Sequence, residues 1–164
     1  NLAKIDKKNK YYLFGDLNKI EKNFKYKNSN NNIFINDYVP YKDIPKELKK
    51  MDILLLPYVS SITVAGDVGD ITKFSSPLKL FDYLSIGKII MCSDFNVLKE
   101  AIKENKNAIF IKNFANPFSW RNEIQKLKNL PNKQLIISKN NYELSKKYSL
   151  ISRAKKILEE VKLN

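Results

Sequence analysis

Short apolar runs recur along this 164-residue chain, each bounded by polar or turn-forming residues. Tyr11–Phe14 ends at Gly15-Asp16, and Ile33–Ile35 follows the polar linker Asn28–Asn32. Asp52–Leu56 (D-I-L-L-L) is stopped by Pro57, and Lys88–Cys92 and Ala108–Ile111 complete the set. Continuous apolar runs of this length suit strands covered on both faces, as in a parallel sheet. Between them the pattern turns helical, over about Asn18–Lys27, Pro45–Met51, Pro77–Ile86 and Val97–Glu104. Pro117–Leu130, Asn132–Lys147 and Leu150–Leu163 follow the last strand. The alternation predicts an α/β domain, an open, doubly wound parallel sheet with helices on both faces and a C-terminal helical tail.

Composition narrows the chemistry. The chain has no His, which removes Ser-His-Asp and Cys-His catalysis and His-ligated metal sites. Its single Cys92 lies in an apolar run and reads as a small buried hydrophobe. One unpaired cysteine suits a reducing cytosol, and no apolar run approaches the length of a membrane span. The formal charge is +13; residues 1–82 hold 14 basic and 10 acidic residues and residues 83–164 hold 16 and 7, so the second half carries +9 of it. Spread in this way, the lysines make a solvated surface that also favours anionic partners such as phosphorylated ligands or anionic lipid headgroups.

Two segments point to a site. In F-S-S-P-L-K-L-F-D-Y-L-S-I-G-K-I-I (74–90), Ser76 is a suitable helix N-cap and Pro77 a suitable first helical residue. Leu78 and Lys79 then present backbone N–H groups at the positive end of a helix dipole, with the Lys79 cation beside them. That arrangement is either an ordinary capped helix or a phosphate site. Before it runs a long irregular stretch, Pro57 to Ser76, between the end of a strand and the start of a helix, where open α/β sheets bind ligands. Asp67 and Asp70 within that stretch read as turn residues rather than metal ligands.

Five segments in order resemble the C-terminal half of a GT-B glycosyltransferase of the large retaining family that uses nucleotide-sugar donors. They are Y-L-F-G-D, N-I-F-I-N-D-Y-V-P-Y-K-D-I-P-K-E-L, M-D-I-L-L-L-P-Y, S-S-P-L-K-L-F-D-Y-L-S-I-G-K-I-I-M-C-S and Y-S-L-I-S-R-A-K-K-I-L. The resemblance covers nearly the whole chain and implies one Rossmann-like donor-binding lobe. It places Asp82 on the nucleotide ribose, where a carboxylate can accept two hydrogen bonds. The first acidic residue of the family's pair falls on Phe74, so Ser75 or the Gly66–Thr72 loop would take over the sugar. The diphosphate would sit on the Leu78 and Lys79 amides beside Ser76. The base is expected against Val39 and Tyr41, with Tyr41 either a stacking platform or a surface aromatic. Gly15 would let the chain turn sharply beneath the site.

The same resemblance implies that the first strand of this lobe and the N-terminal acceptor lobe precede Asn1. The expected activity is transfer from a UDP- or GDP-sugar, without metal or other cofactor, to a glycan or lipid-linked acceptor in cell-envelope polysaccharide synthesis. The expected setting is the cytoplasm, with peripheral contact to an anionic membrane as an open option. The isolated chain is expected to transfer no sugar, and no nucleic-acid partner is expected. Two competing readings are a sugar-nucleotide epimerase lobe, against which the lack of His argues, and a non-enzymatic basic module for nucleic acid or membrane. The closest basic cluster for that last reading is Lys146–Lys156, with Tyr148 and Arg153, which reads equally well as an amphipathic tail helix.

Overall fold

A computed structural model describes residues 1–16, 31–58 and 78–162. Within them the elements run α1 (Leu2–Ile5), β1 (Tyr11–Phe14), β2 (Ile33–Asn36), a 3-10 turn (Tyr41–Asp43), α2 (Ile44–Lys49) and β3 (Ile53–Leu56). Then come α3 (Leu78–Ile86), β4 (Ile89–Ser93), α4 (Asn96–Lys99), β5 (Ala108–Ile111), α5 (Pro117–Lys128), α6 (Pro131–Lys147) and α7 (Leu150–Lys162). The expected helix at Asn18–Lys27 lies outside the described residues. All five expected strands form, shifted by a residue at most.

The strands lie in two parallel patches. β1 pairs with β2 from Tyr11↔Ile33 to Phe14↔Asn36. β4 is central in the other patch, pairing with β3 from Ile53↔Ile89 to Leu56↔Cys92 and with β5 from Ile90↔Ala108 to Ser93↔Ile111. Every residue of β4 and β5 is buried, which is why these runs carry no polar alternation. Side chains leave β4 alternately to opposite faces. Ile90 and Cys92 join Leu56, Leu80, Leu84, Leu98, Ile102 and Phe110 on one face. Ile89 and Met91 join Ile109, Trp120, Ile124, Leu127 and Ile137 on the other. Each fully buried side chain of this kind contributes roughly 1.5–3 kcal/mol.

The β1–β2 patch is built differently. Its strands expose every second residue or more, and a polar knot anchors one end. Asn32 is buried, and its Nδ2 donates to the carbonyls of Ala3 (3.1 Å), Asp6 (3.0 Å) and Asn9 (3.1 Å). The Asp6 carboxylate, also buried, accepts from the Tyr11 hydroxyl at 2.7 Å and from the Asn9 amide. The linker expected at Asn28–Asn32 thus ends in a structural residue. Among the described residues, β1 and β3 each have one edge without a strand beside it. Two cavities of about 310 and 640 Å³ lie there, and Tyr11 and Leu55 line both.

One local expectation is corrected. The helix expected over Val97–Glu104 is one turn long, because asparagine chemistry takes over after it. The Lys103 amide donates to Asn107 Oδ1, the Asn105 amide donates to the Ala108 carbonyl at 2.8 Å, and Asn105 has φ 59°. Gly15, expected to turn the chain sharply beneath the site, is a bend directly after β1; its amide donates to the Asn36 carbonyl at 3.2 Å, and its φ is not positive. Among the described residues the glycine with positive φ is Gly87, at 69°, where α3 turns into β4.

Candidate functional site

The site grows from the C-terminal ends of the strands. Beyond β2 the chain runs extended to Pro40 (φ −53°, ψ 141°), whose carbonyl accepts the Asp43 amide at 2.8 Å and closes the 3-10 turn. Proline fixes the entry into that turn, so the position of Tyr41 is set by backbone rather than by burial. Beyond β3, α3 presents its first turn with Leu78 and Lys79 both exposed. The first amides of a helix have no acceptor inside it and lie at the positive end of its dipole.

These two elements meet through one hydrogen bond. The Tyr41 hydroxyl donates to Asp82 Oδ1 at 3.0 Å, joining residues 41 positions apart. The bond to the Asp82 carboxylate, and then that group's charge, raises the Tyr41 pKa above its ordinary 10.0. Tyr41 therefore remains protonated, and a donor, at neutral pH. Of the sequence-expected residues, Tyr41 and Asp82 are brought into contact. Val39 lies half-buried two residues before Tyr41, Leu78 and Lys79 stand one turn before Asp82 on α3, and Gly15 follows the end of β1. Ser75 and Ser76, with Phe74, Asp67 and Asp70, lie outside the described residues. Among the described residues no cluster of three or more Cys, Asp or Glu is placed to hold a metal ion.

Sequence reasoning missed the groups that hold these elements in place. Ser93 is buried and donates from Oγ to the Tyr58 carbonyl at 2.9 Å, tying the exit of β3 to the end of β4. A polar residue closing an apolar run was the signal for it. The C-terminal end of α3 is clamped by α6: Ser138 Oγ donates to the Gly87 carbonyl, and Asn141 Nδ2 donates to the Lys88 carbonyl at 2.8 Å. Phe81 packs on Tyr148 with ring centroids 4.9 Å apart. Cys92 is inert: burial, chiefly, pushes its thiol up to about 12.

The family model described as Glycosyl transferases group 1 matches residues 1–144. The chain belongs to that family. No curated protein sequence matches it. Among solved structures, the HepE protein of Anabaena in complex with UDP superposes with a TM-score of 0.74 at 13% identity, over 99% of this chain and 43% of that one. HepE in complex with UDP-glucose gives 0.69 at 13%, over 94% and 41%. TarM gives 0.68 at 20% identity, over 96% of this chain and 30% of that one. The chain thus spans less than half the length of these structures, and the likeness is one of fold, that of a GT-B glycosyltransferase lobe.

Proposed function

We propose that this family member is the donor-binding lobe of a glycosyltransferase and holds a nucleoside-diphosphate sugar at the first turn of α3. The observation that carries this reading is the Tyr41–Asp82 hydrogen bond, which joins an aromatic ring and a carboxylate beside the first turn of α3, where Leu78 and Lys79 are exposed. In this reading Asp82 accepts ribose hydroxyls, and Tyr41 with Val39 meets the base. The Leu78 and Lys79 amides and the Lys79 ammonium receive the diphosphate, with Ser75 and Ser76 nearby in sequence. Lys79 then offsets the charge that builds on the departing diphosphate. The reading assigns no metal to that task. UDP is favoured over GDP because HepE holds UDP and UDP-glucose.

A titration with UDP, GDP, ADP and CMP tests it. We expect saturable binding of UDP, weakened about tenfold or more by Asp82→Ala and severalfold by Lys79→Ala. Binding that is indifferent to both substitutions would place the ligand elsewhere.

The same reading makes the chain one part of a longer enzyme, completed by an N-terminal lobe that carries the acceptor. The unfilled edges of β1 and β3, and the cavities between them, support a further parallel strand at that place. The chain by itself is then expected to transfer no sugar. On α7 the exposed Ile151, Ile157, Leu158 and Val161 follow helical spacing and give the N-terminal lobe an apolar stripe to dock on. A glycan or lipid-linked acceptor of cell-envelope type, handled in the cytoplasm, completes the proposal. No described helix is long and apolar enough to cross a membrane. Contact with an anionic membrane surface rests on the +9 of the second half. Salt-sensitive binding to anionic vesicles and none to neutral ones is its signature.

A further inference from the structure

The Tyr41–Asp82 bond joins an exposed tyrosine to a half-buried aspartate. Tyr41 is 69% exposed, so no core packing brings its hydroxyl to the carboxylate. What holds it there is the Pro40 entry, the 3-10 turn and the bond itself. On the other side Asp82 is fixed by α3, whose far end α6 clamps at Gly87 and Lys88. A half-buried carboxylate without a partner would still sample more than one rotamer. Here Oδ1 is committed to Tyr41, and the orientation of the whole group follows. The aromatic face and the remaining acceptor capacity of Asp82 are thereby held at a fixed separation.

We propose that Tyr41 is a positioning residue for Asp82 and that the two act as one unit reading a nucleoside through its ribose diol. The proposal rests on the nucleotide reading above, which already gives the ribose hydroxyls to Asp82, and adds the residue that orients that carboxylate. The hydroxyl of Tyr41 orients the carboxylate, which takes the ribose hydroxyls on its remaining lone pairs. The ring lies on the side of the base that the ribose carries. Ligands with an intact 2′,3′-diol are selected, and those without it leave the oriented carboxylate unpaired. Tyr41 does not touch the diol; it decides how well Asp82 does.

The test compares UDP with 2′,3′-dideoxy-UDP on the wild-type chain, Tyr41→Phe and Asp82→Asn. Wild type is expected to prefer UDP by about tenfold or more, the size of hydrogen bonds to a charged group. Tyr41→Phe keeps the ring and should cut that preference about threefold or more, the loss falling on UDP more than on dideoxy-UDP. Asp82→Asn should abolish the preference. Equal loss of both ligands in Tyr41→Phe would overturn the proposal and leave Tyr41 as a base platform alone. Saturable binding without any preference for the diol would overturn it while sparing the nucleotide site. A ligand-free measurement covers the remaining case. Following ring-labelled tyrosines by NMR, the Tyr41 titration should move down towards its ordinary range in Asp82→Ala. An unmoved titration would show that the tether does not form. Binding of no nucleotide would remove the ribose reading together with the donor site.

Discussion

The two patches of sheet are parallel and of similar strand length, yet they are held by different physics. The β3–β4–β5 patch is sealed by apolar side chains on both faces, and its central strand is buried at every residue. The β1–β2 patch leaves Tyr12, Phe14, Phe34 and Ile35 substantially exposed and relies on Asn32, Asp6 and Tyr11 at one end. Apolar burial is non-directional and adds up residue by residue, so it tolerates local error. A polar knot is directional and fails when one partner is removed, because the others are left buried and unpaired. One patch is stable by redundancy and the other by geometry.

Truncation should break the first patch hardest. Ile90→Ala, at a site with no accessible surface, should cost about 3–4 kcal/mol in denaturant unfolding, from lost transfer energy and the cavity left behind. Leu13→Ala, half-buried in β1, should cost about 1 kcal/mol. Equal costs would show that the patches share one core after all.

Asn32→Ala should cost about 2 kcal/mol, more than any apolar truncation in β1, because three carbonyls lose a donor at once. Its effect should fall mainly on the amides of α1 and β1, so hydrogen exchange there should accelerate while β4 stays protected. A uniform increase across both patches would contradict the division.

Alkaline pH offers the finest comparison. Burial raises the Cys92 thiol from 9.0 to about 12. Burial, and then the bond to Asp6, raises the Tyr11 phenol above its ordinary 10.0. Both groups fold in their neutral, protonated forms. The stability they support is complete below the unfolded-state values and is lost as pH rises towards the folded-state ones. Wild type should therefore weaken from about pH 9 upward. Cys92→Ala should remove the earlier part of that loss and Tyr11→Phe the later part, read as the slope of unfolding free energy against pH.

The division also explains what could be read from the sequence. The apolar runs at β3, β4 and β5 announced themselves because burial selects residue type at every position. The helix carrying Lys79 and Asp82 was legible because its apolar residues follow helical spacing, while its expected cap at Ser76 lies outside the described residues. Asn32 was lost inside a run of asparagines, since nothing local distinguishes a buried amide from a solvated one. The Tyr41–Asp82 bond joins positions 41 apart, and no periodicity encodes such a pair. Both residues were nevertheless singled out separately, by resemblance. The end of α4 was misjudged because side-chain bonds of Asn107 and the turn at Asn105 outweighed a helical pattern.

Gly87 carries a consequence for how this sequence can drift. The chain is rich in Lys, Asn and Ile and has four glycines. At Gly87 a side chain would meet the positive φ and also Tyr142 Cβ at 3.3 Å and the Ser138 carbonyl at 3.4 Å. Asparagine, which tolerates the left-handed backbone best among the abundant residues, would meet the first constraint, and the second only if the Tyr142 side chain gives way by a few tenths of an ångström. A compositional pull towards Lys and Asn can rewrite the solvent face of α3, but where α3 meets α6 it runs against both a backbone and a packing constraint.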